Sequence, residues 1–198
     1  GNPHSMMDTL IANLSENWLT ILIIFLLICM SAFFSGSETA LTATSRARMH
    51  SLESAGDDRA GIVNSLIERR DRLIGALLIG NNLVNILASS LTTSLFLALL
   101  GDSGVAIATL LMTVLLVIFS EVMPKSWAIS APERFALVVA PLVQPFVAVV
   151  GPLSSVVNWI VRKLLGMFGV SISGEASMLS AHEELRGTVA LLHREGAV

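Results

Sequence analysis

The chain has 198 residues, 54% of them hydrophobic and only 14% charged, with a mean hydropathy of +0.76. A soluble domain of this size carries about 25% charged residues, so an ordinary globular domain is excluded and a membrane protein is expected. A net charge of −3 offers no basic footprint for nucleic acid, and the single cysteine, Cys29, excludes an intrachain disulfide.

Gly1-Asn2-Pro3-His4-Ser5 reads as a cloning scar (residues 1–5) ahead of Met6 or Met7. No basic segment precedes the first apolar run, which argues against a cleaved signal peptide. Four stretches lack any charge: Asn17 to Ser37, Leu73 to Gly101, Ser103 to Ser120 and Phe135 to Val161. A spanning helix needs about 20 apolar residues at about 1.5 Å each. The first three stretches predict spans over about 15–36, 73–100 and 104–123.

All 12 lysines and arginines fall at Arg46 to Arg72, at Lys125 to Lys163, or at Arg186 and Arg194. The positive-inside rule then puts the N-terminus and the Gly101–Gly104 turn outside, and the arginine-rich segment after the first span inside. Three spans leave the C-terminus in the cytoplasm. The fourth run contains Pro141, Pro145, Gly151 and Pro152 and has basic residues at both ends (Arg134; Arg162 with Lys163). It reads as a kinked belt helix over about 134–167, beginning and ending on the cytoplasmic side; a fourth span is the alternative.

Between the first two spans, Ile62, Val63, Leu66 and Ile67 have helical spacing, which predicts a membrane-hugging juxtamembrane helix over about 45–70. The transmembrane domain closes near residue 169. Residues 170–198 read as a linker and then a cytoplasmic helix opened by the Ser180-Ala181-His182-Glu183 capping pattern, leading towards a soluble domain. The fold class is an all-α integral membrane protein: three transmembrane helices, a belt helix and juxtamembrane helices.

Three polar clusters interrupt the apolar pattern. Ser31, Ser35, Gly36, Ser37 and Glu38 end the first span; Gly80, Asn81, Asn82 and Asn85 lie early in the second; Ser120, Glu121, Pro124 and Lys125 end the third. Counting along helices from the nearest cytoplasmic charge places Ser35 at most ~16 Å deep, Asn82 ~15 Å and Glu121 ~6 Å, so all three fit the inner half of the bilayer. Ser31/Ser35 and Asn81/Asn85 are i, i+4 pairs, giving each helix one polar stripe. Hydroxyl, carboxamide and carboxylate oxygens, with backbone carbonyls near Gly36, suit hard cations such as Mg²⁺, Ca²⁺ or Na⁺. An unpaired carboxylate in a membrane costs about 2.5–3.5 kcal/mol, so Glu121 requires a cation or a proton, and Lys125 is its local partner. A packing reading stands beside this one: serines bond back to their own helix, asparagines join helices, and Glu121 pairs with Lys125 at headgroup level. No nucleophile–base pair or phosphate loop suggests an enzyme.

The segments "FFSGSETALTATSRARMHSL", "LLIGNNLVNILASSL" and "FSEVMPKSWAISAPERFALVVAPLV" together resemble the transmembrane domain of the CorC / cyclin M family of magnesium transporters. "LSAHEELRGTV" is similar to that family's lead into a pair of nucleotide-binding CBS domains, which this chain lacks. The resemblance implies a homodimer of three-span protomers in the plasma (inner) membrane, exporting Mg²⁺ against inward Na⁺. It assigns ion binding to Ser31, Ser35, Asn82, Asn85 and Glu121, with Gly36 and Asn81 as additional candidates. Pro124 and Lys125 match its glutamate-x-x-proline-lysine element and take a structural or gating role. The alternative is a membrane anchor that senses Mg²⁺ for a cytoplasmic regulatory domain without moving the ion.

Overall fold

The computed structural model describes residues 17–168; the expected scar (1–5), the expected linker and the Ser180–Glu183 capping pattern lie outside them. The described residues are helical throughout: α1 (Trp18–Ala43), α2 (Arg46–Ser54), α3 (Asp58–Glu68), α4 (Arg70–Leu100), α5 (Asp102–Leu115), a π-helical segment (Leu116–Val122), α6 (Met123–Ser130) and α7 (Pro132–Met167). They divide at Ser154, within α7, into two units.

The first span continues through the Ser/Gly/Glu cluster to Ala43. Gly36 therefore lies inside a helix, where it presents close-packing surface in place of the loose carbonyls expected near it. The juxtamembrane stretch, expected as one helix over about 45–70, forms two. Its break is Ala55-Gly56-Asp57, where Gly56 has φ +95°, a conformation that disfavours side chains. Ser45 and Asp57 cap the two helices by accepting the backbone N–H of Arg48 and Arg59.

Among the described residues four helical stretches are long and apolar enough to cross a membrane: α1, α4, the continuous Asp102–Ser130 stretch, and α7. Length and composition thus admit α7 as a span beside the three expected. Pro141, Pro145 and Pro152 lie inside it, each withdrawing one backbone N–H from the helical ladder.

In the first unit, α1 packs along α4 and against the π-helical segment and α6, while α4 and α5 form a hairpin turning at Gly101 (φ +64°). The core gathers at one end of these helices. There Phe34, Leu41, Met49, Val63, Leu66, Leu73, Leu77, Ala128, Ala140 and Val143 bury one another. Val63, Leu66 and Ile67 point into that core, as their helical spacing requires. Phe146 of α7 stacks on Phe34 of α1 with centroids 4.7 Å apart, over Gly80, where an added Cβ would lie 2.6 Å from the Phe146 ring. Phe135 sits over Gly36 in the same manner. Away from the core the helices expose large apolar side chains, including Trp18, Ile86 and Leu110 at 61%, 67% and 69%, as lipid-facing surface does. In the second unit the remainder of α7 is largely exposed, with Val156, Trp159, Leu164 and Met167 on its surface and the Lys163 ammonium 5.1 Å from the Trp159 ring centre.

Candidate cation site

Side-chain hydroxyls within membrane helices have two outlets, their own backbone or another helix. Thr39, Thr42, Thr92, Thr93, Thr109 and Thr113 each donate to the carbonyl four residues back. Ser31 and Ser35 do otherwise. Ser31 Oγ donates across to Asn81 Oδ1 of α4 at 2.7 Å, and Ser35 Oγ donates to Glu121 Oε2 of the third span at 3.3 Å. Asn81 Nδ2 completes the link by donating to Glu121 Oε1 at 3.0 Å. One hydrogen-bonded chain therefore joins three long helices, with Ser31 and Ser35 at most 1% exposed and Asn81 at 7%.

The carboxylate of this chain also meets Lys125, whose Nζ lies 2.8 Å from Glu121 Oε2, with a third of the Glu121 side chain still exposed. The pair is i, i+4, directed along the helix as such pairs require. Each oxygen of Glu121 thus accepts from at least one donor, and the ammonium neutralises it.

The backbone around Glu121 is unusual. Leu116–Val122 is wound as a π-helix, with the N–H of Met123 reaching the carbonyl of Ile118. Pro124 follows at once and has no N–H to give the carbonyl of Ser120, where an α-helix would direct one. Single π turns within α-helices are frequent at functional sites. The wide turn also buries Ser120, whose hydroxyl donates to the Ile28 carbonyl of α1 at 3.3 Å.

The sequence candidates therefore separate. Ser31, Ser35, Asn81, Glu121 and Lys125 come together. Gly36 is buried beside them; an added Cβ there would lie 2.9 Å from the Phe135 ring and 3.5 Å from Pro124 Cβ. Asn82 is rotated by about 100° from Asn81 along α4 and is exposed. With Asn85, Ser89 and Ser90 it lines a separate groove of about 610 Å³, where Asn85 Oδ1 is buried without a partner. The hydrogen-bonded chain thus takes in Asn81, while Asn82 and Asn85, which the resemblance put first, line the separate groove. Ser120 was legible as part of its cluster, but its bond to α1 depends on the π turn, which no spacing rule signals.

Among the described residues no three His, Cys, Asp or Glu side chains gather as a metal cluster. One carboxylate with neutral oxygens is the donor set of a hard cation that keeps part of its water. The bundle is thus a multi-pass helical membrane protein with a hydrogen-bonded polar node between its spans.

A model of the cyclin M transmembrane N-terminal domain matches residues 22–198. The chain belongs to this family. It is 42% identical over 160 residues to an inner membrane protein of Escherichia coli K12, YfjD, covering 81% of this chain and 37% of that protein. It is 36% identical over 173 residues to a Haemophilus influenzae protein of the same UPF0053 group, covering 86% of this chain and 41% of that one. A polyamine export protein of Haemophilus influenzae is 30% identical over 174 residues, covering 81% and 40%. The chain therefore spans roughly two-fifths of the length of these relatives.

Proposed function

We propose that this domain exports Mg²⁺ from the cytoplasm, coupled to inward Na⁺, through the node of Ser31, Ser35, Asn81 and Glu121. One observation carries the reading: two buried serines bypass their own backbone to join an asparagine and the only carboxylate of the node. Mg²⁺ accepts one or two carboxylates beside water and neutral oxygens. Such a site holds the ion modestly, and modest binding lets a transported ion leave.

Lys125 supplies the exchange step. Its ammonium takes the position next to Glu121 that an entering cation needs, so the ion enters as Lys125 withdraws. Glu38 lies within Coulombic reach of Lys125 and receives it. As the ion departs outward, Lys125 returns and spares the carboxylate an unpaired state. The domain is a carrier and not an enzyme. It sits in the inner membrane as one protomer of a homodimer, N-terminus outside and C-terminus joined to a cytoplasmic CBS pair, with α7 as a belt on the cytoplasmic side.

Mg²⁺ efflux from loaded liposomes under a Na⁺ gradient is the test. Wild-type chain should release the ion and Glu121→Gln should not, while both keep the same helix content. Equal efflux from the two proteins rejects the site. Mg²⁺ binding without flux in the wild type selects the sensor reading instead.

A second reading has its own observation. The group resting on Glu121 is an alkylammonium, that of Lys125, and one relative is named as a polyamine exporter. Putrescine efflux in the same liposomes separates an organic ammonium substrate from Mg²⁺.

A further inference from the structure

A second polar site lies apart from the node, where α3 and α4 meet α7. Ser65, Leu66, Glu68, Arg69, Arg72, Gln144, Val147 and Ala148 line an open cavity of about 420 Å³. Among the described residues neither arginine is ion-paired. Arg72 Nε is buried and has no hydrogen-bond partner. A charged donor buried without an acceptor is costly, and an acceptor held by the rest of the Arg72 side chain, which lines the cavity, would offset part of that cost. Nor is Arg72 a loosely waving side chain. It lies in a notch made by Gly151 of α7, where any Cβ would run into it.

The level of the cavity says what fills it. Arg72 directly precedes Leu73, the first residue of the uncharged run that makes the second span. An arginine at that boundary stands at the depth of lipid phosphates. Leu66, Val147 and Ala148 of its lining are apolar, and the neighbouring Leu142 and Val149 of α7 are exposed by 64% and 80%, offering a surface for acyl chains. Glu68, also in the lining, accepts hydrogen bonds and repels a bare anion.

We propose that Ser65, Glu68, Arg69, Arg72 and Gln144 form a phospholipid-headgroup site. The guanidinium groups take the phosphate, as arginine forks do, with the Gln144 amide as a further donor; the Ser65 hydroxyl donates to the Ile62 carbonyl and can accept from the headgroup. Glu68 takes an N–H or O–H on the distal part of the headgroup. Phosphatidylethanolamine and phosphatidylglycerol carry such a donor; phosphatidylcholine does not. The site is independent of which ion the node carries.

The test is native mass spectrometry of the whole chain, released from detergent with phosphatidylethanolamine, phosphatidylglycerol or phosphatidylcholine. Wild type should retain the first two in preference to the third. Arg69→Gln/Arg72→Gln should lower retention about tenfold, the loss of charge-assisted hydrogen bonds, and Glu68→Gln should erase the preference over phosphatidylcholine. Gly151→Ala keeps both charges and displaces Arg72 from its notch, so it should lower retention too; it answers the question should the double variant fail to fold. Equal retention by wild type and Gly151→Ala, or no preference among the three lipids, overturns the proposal. Thermal protection by inorganic phosphate with no lipid retained assigns the cavity to a free anion and overturns it equally.

Discussion

The ammonium of Lys125 stands 2.8 Å from Glu121 Oε2, the same oxygen that accepts the hydroxyl of Ser35. A cation bound at Glu121 with Lys125 still in place would face a like charge at close range. Lys125→Met removes that repulsion and leaves the carboxylate needing an outside cation. Mg²⁺ should then protect the variant against thermal unfolding at concentrations about tenfold lower than the wild type requires, while efflux slows because nothing displaces the ion. Unchanged or weaker protection contradicts an exchange between lysine and ion. Loss of Mg²⁺ protection in the wild type itself would count against the ion site and leave the lysine question aside.

Asn81 and Asn82 are neighbours in sequence with opposite surroundings. Asn81→Ala leaves Ser31 and Glu121 each short of a partner, a loss of about 1–3 kcal/mol, and should weaken Mg²⁺ protection. Asn82→Ala, at an exposed position, should change stability by less than about 0.5 kcal/mol and leave Mg²⁺ protection near the wild-type level. Paired thermal-shift titrations decide it. A larger effect at Asn82 would shift the ion site to the outer groove.

Gly80 and Gly166 are both helical glycines. At Gly80 an added Cβ meets the rings of Phe146 and Phe34, whereas at Gly166 it meets nothing within 4 Å. Gly80→Val should cost about 1–3 kcal/mol through overpacking. Gly166→Ala should gain up to about 1 kcal/mol from helix propensity alone. Unfolding midpoints in detergent measure both.

Asp57 opens α3 and binds Arg59 through both carboxylate oxygens, 3.1 Å from Nε and 3.1 Å from Nη2. The Arg59 hydrogen bond holds its carboxyl below the ordinary value, which in an unfolded chain is about 3.9. A depressed folded-state value means the contribution is present above that pH and is lost as the pH falls through the folded-state value. Protection of the Arg59 and Ala60 amides in hydrogen exchange should therefore hold at pH 5 and above and drop in more acidic buffer. Asp57→Ala should show low protection at every pH. A wild-type profile flat into acid would refute the cap.

Much of the fold was legible because charge is so scarce. Four uncharged runs mark the four long apolar helices, and the 3.6-residue spacing of Val63, Leu66 and Ile67 gave the buried face of α3. The break at Gly56 escaped because a lone glycine costs a helix only about 1 kcal/mol; its positive φ is a property of the folded chain. Glu121, Ser31 and Ser35 stood out as polar atoms in apolar sequence. Choosing between Asn81 and Asn82 required the rotation of α4 against α1, which tertiary packing sets. At 36 residues α7 is long enough to span, and its belt role is read instead from the prolines inside it and the basic residues at both ends.

The winding of Leu116–Val122 makes the third span sensitive to length in a way its neighbours are not. A π turn is equivalent to an α-helix holding one surplus residue. Excising a single residue there, Phe119 for instance, would let the stretch relax into ordinary α register. Everything upstream would then swing by about 100° relative to Glu121, so that the lipid-facing side of Asp102–Leu115 and the inward-facing acid could no longer be satisfied together. Point changes in this stretch are absorbed side chain by side chain, whereas a one-codon deletion resets the phase of the whole helix.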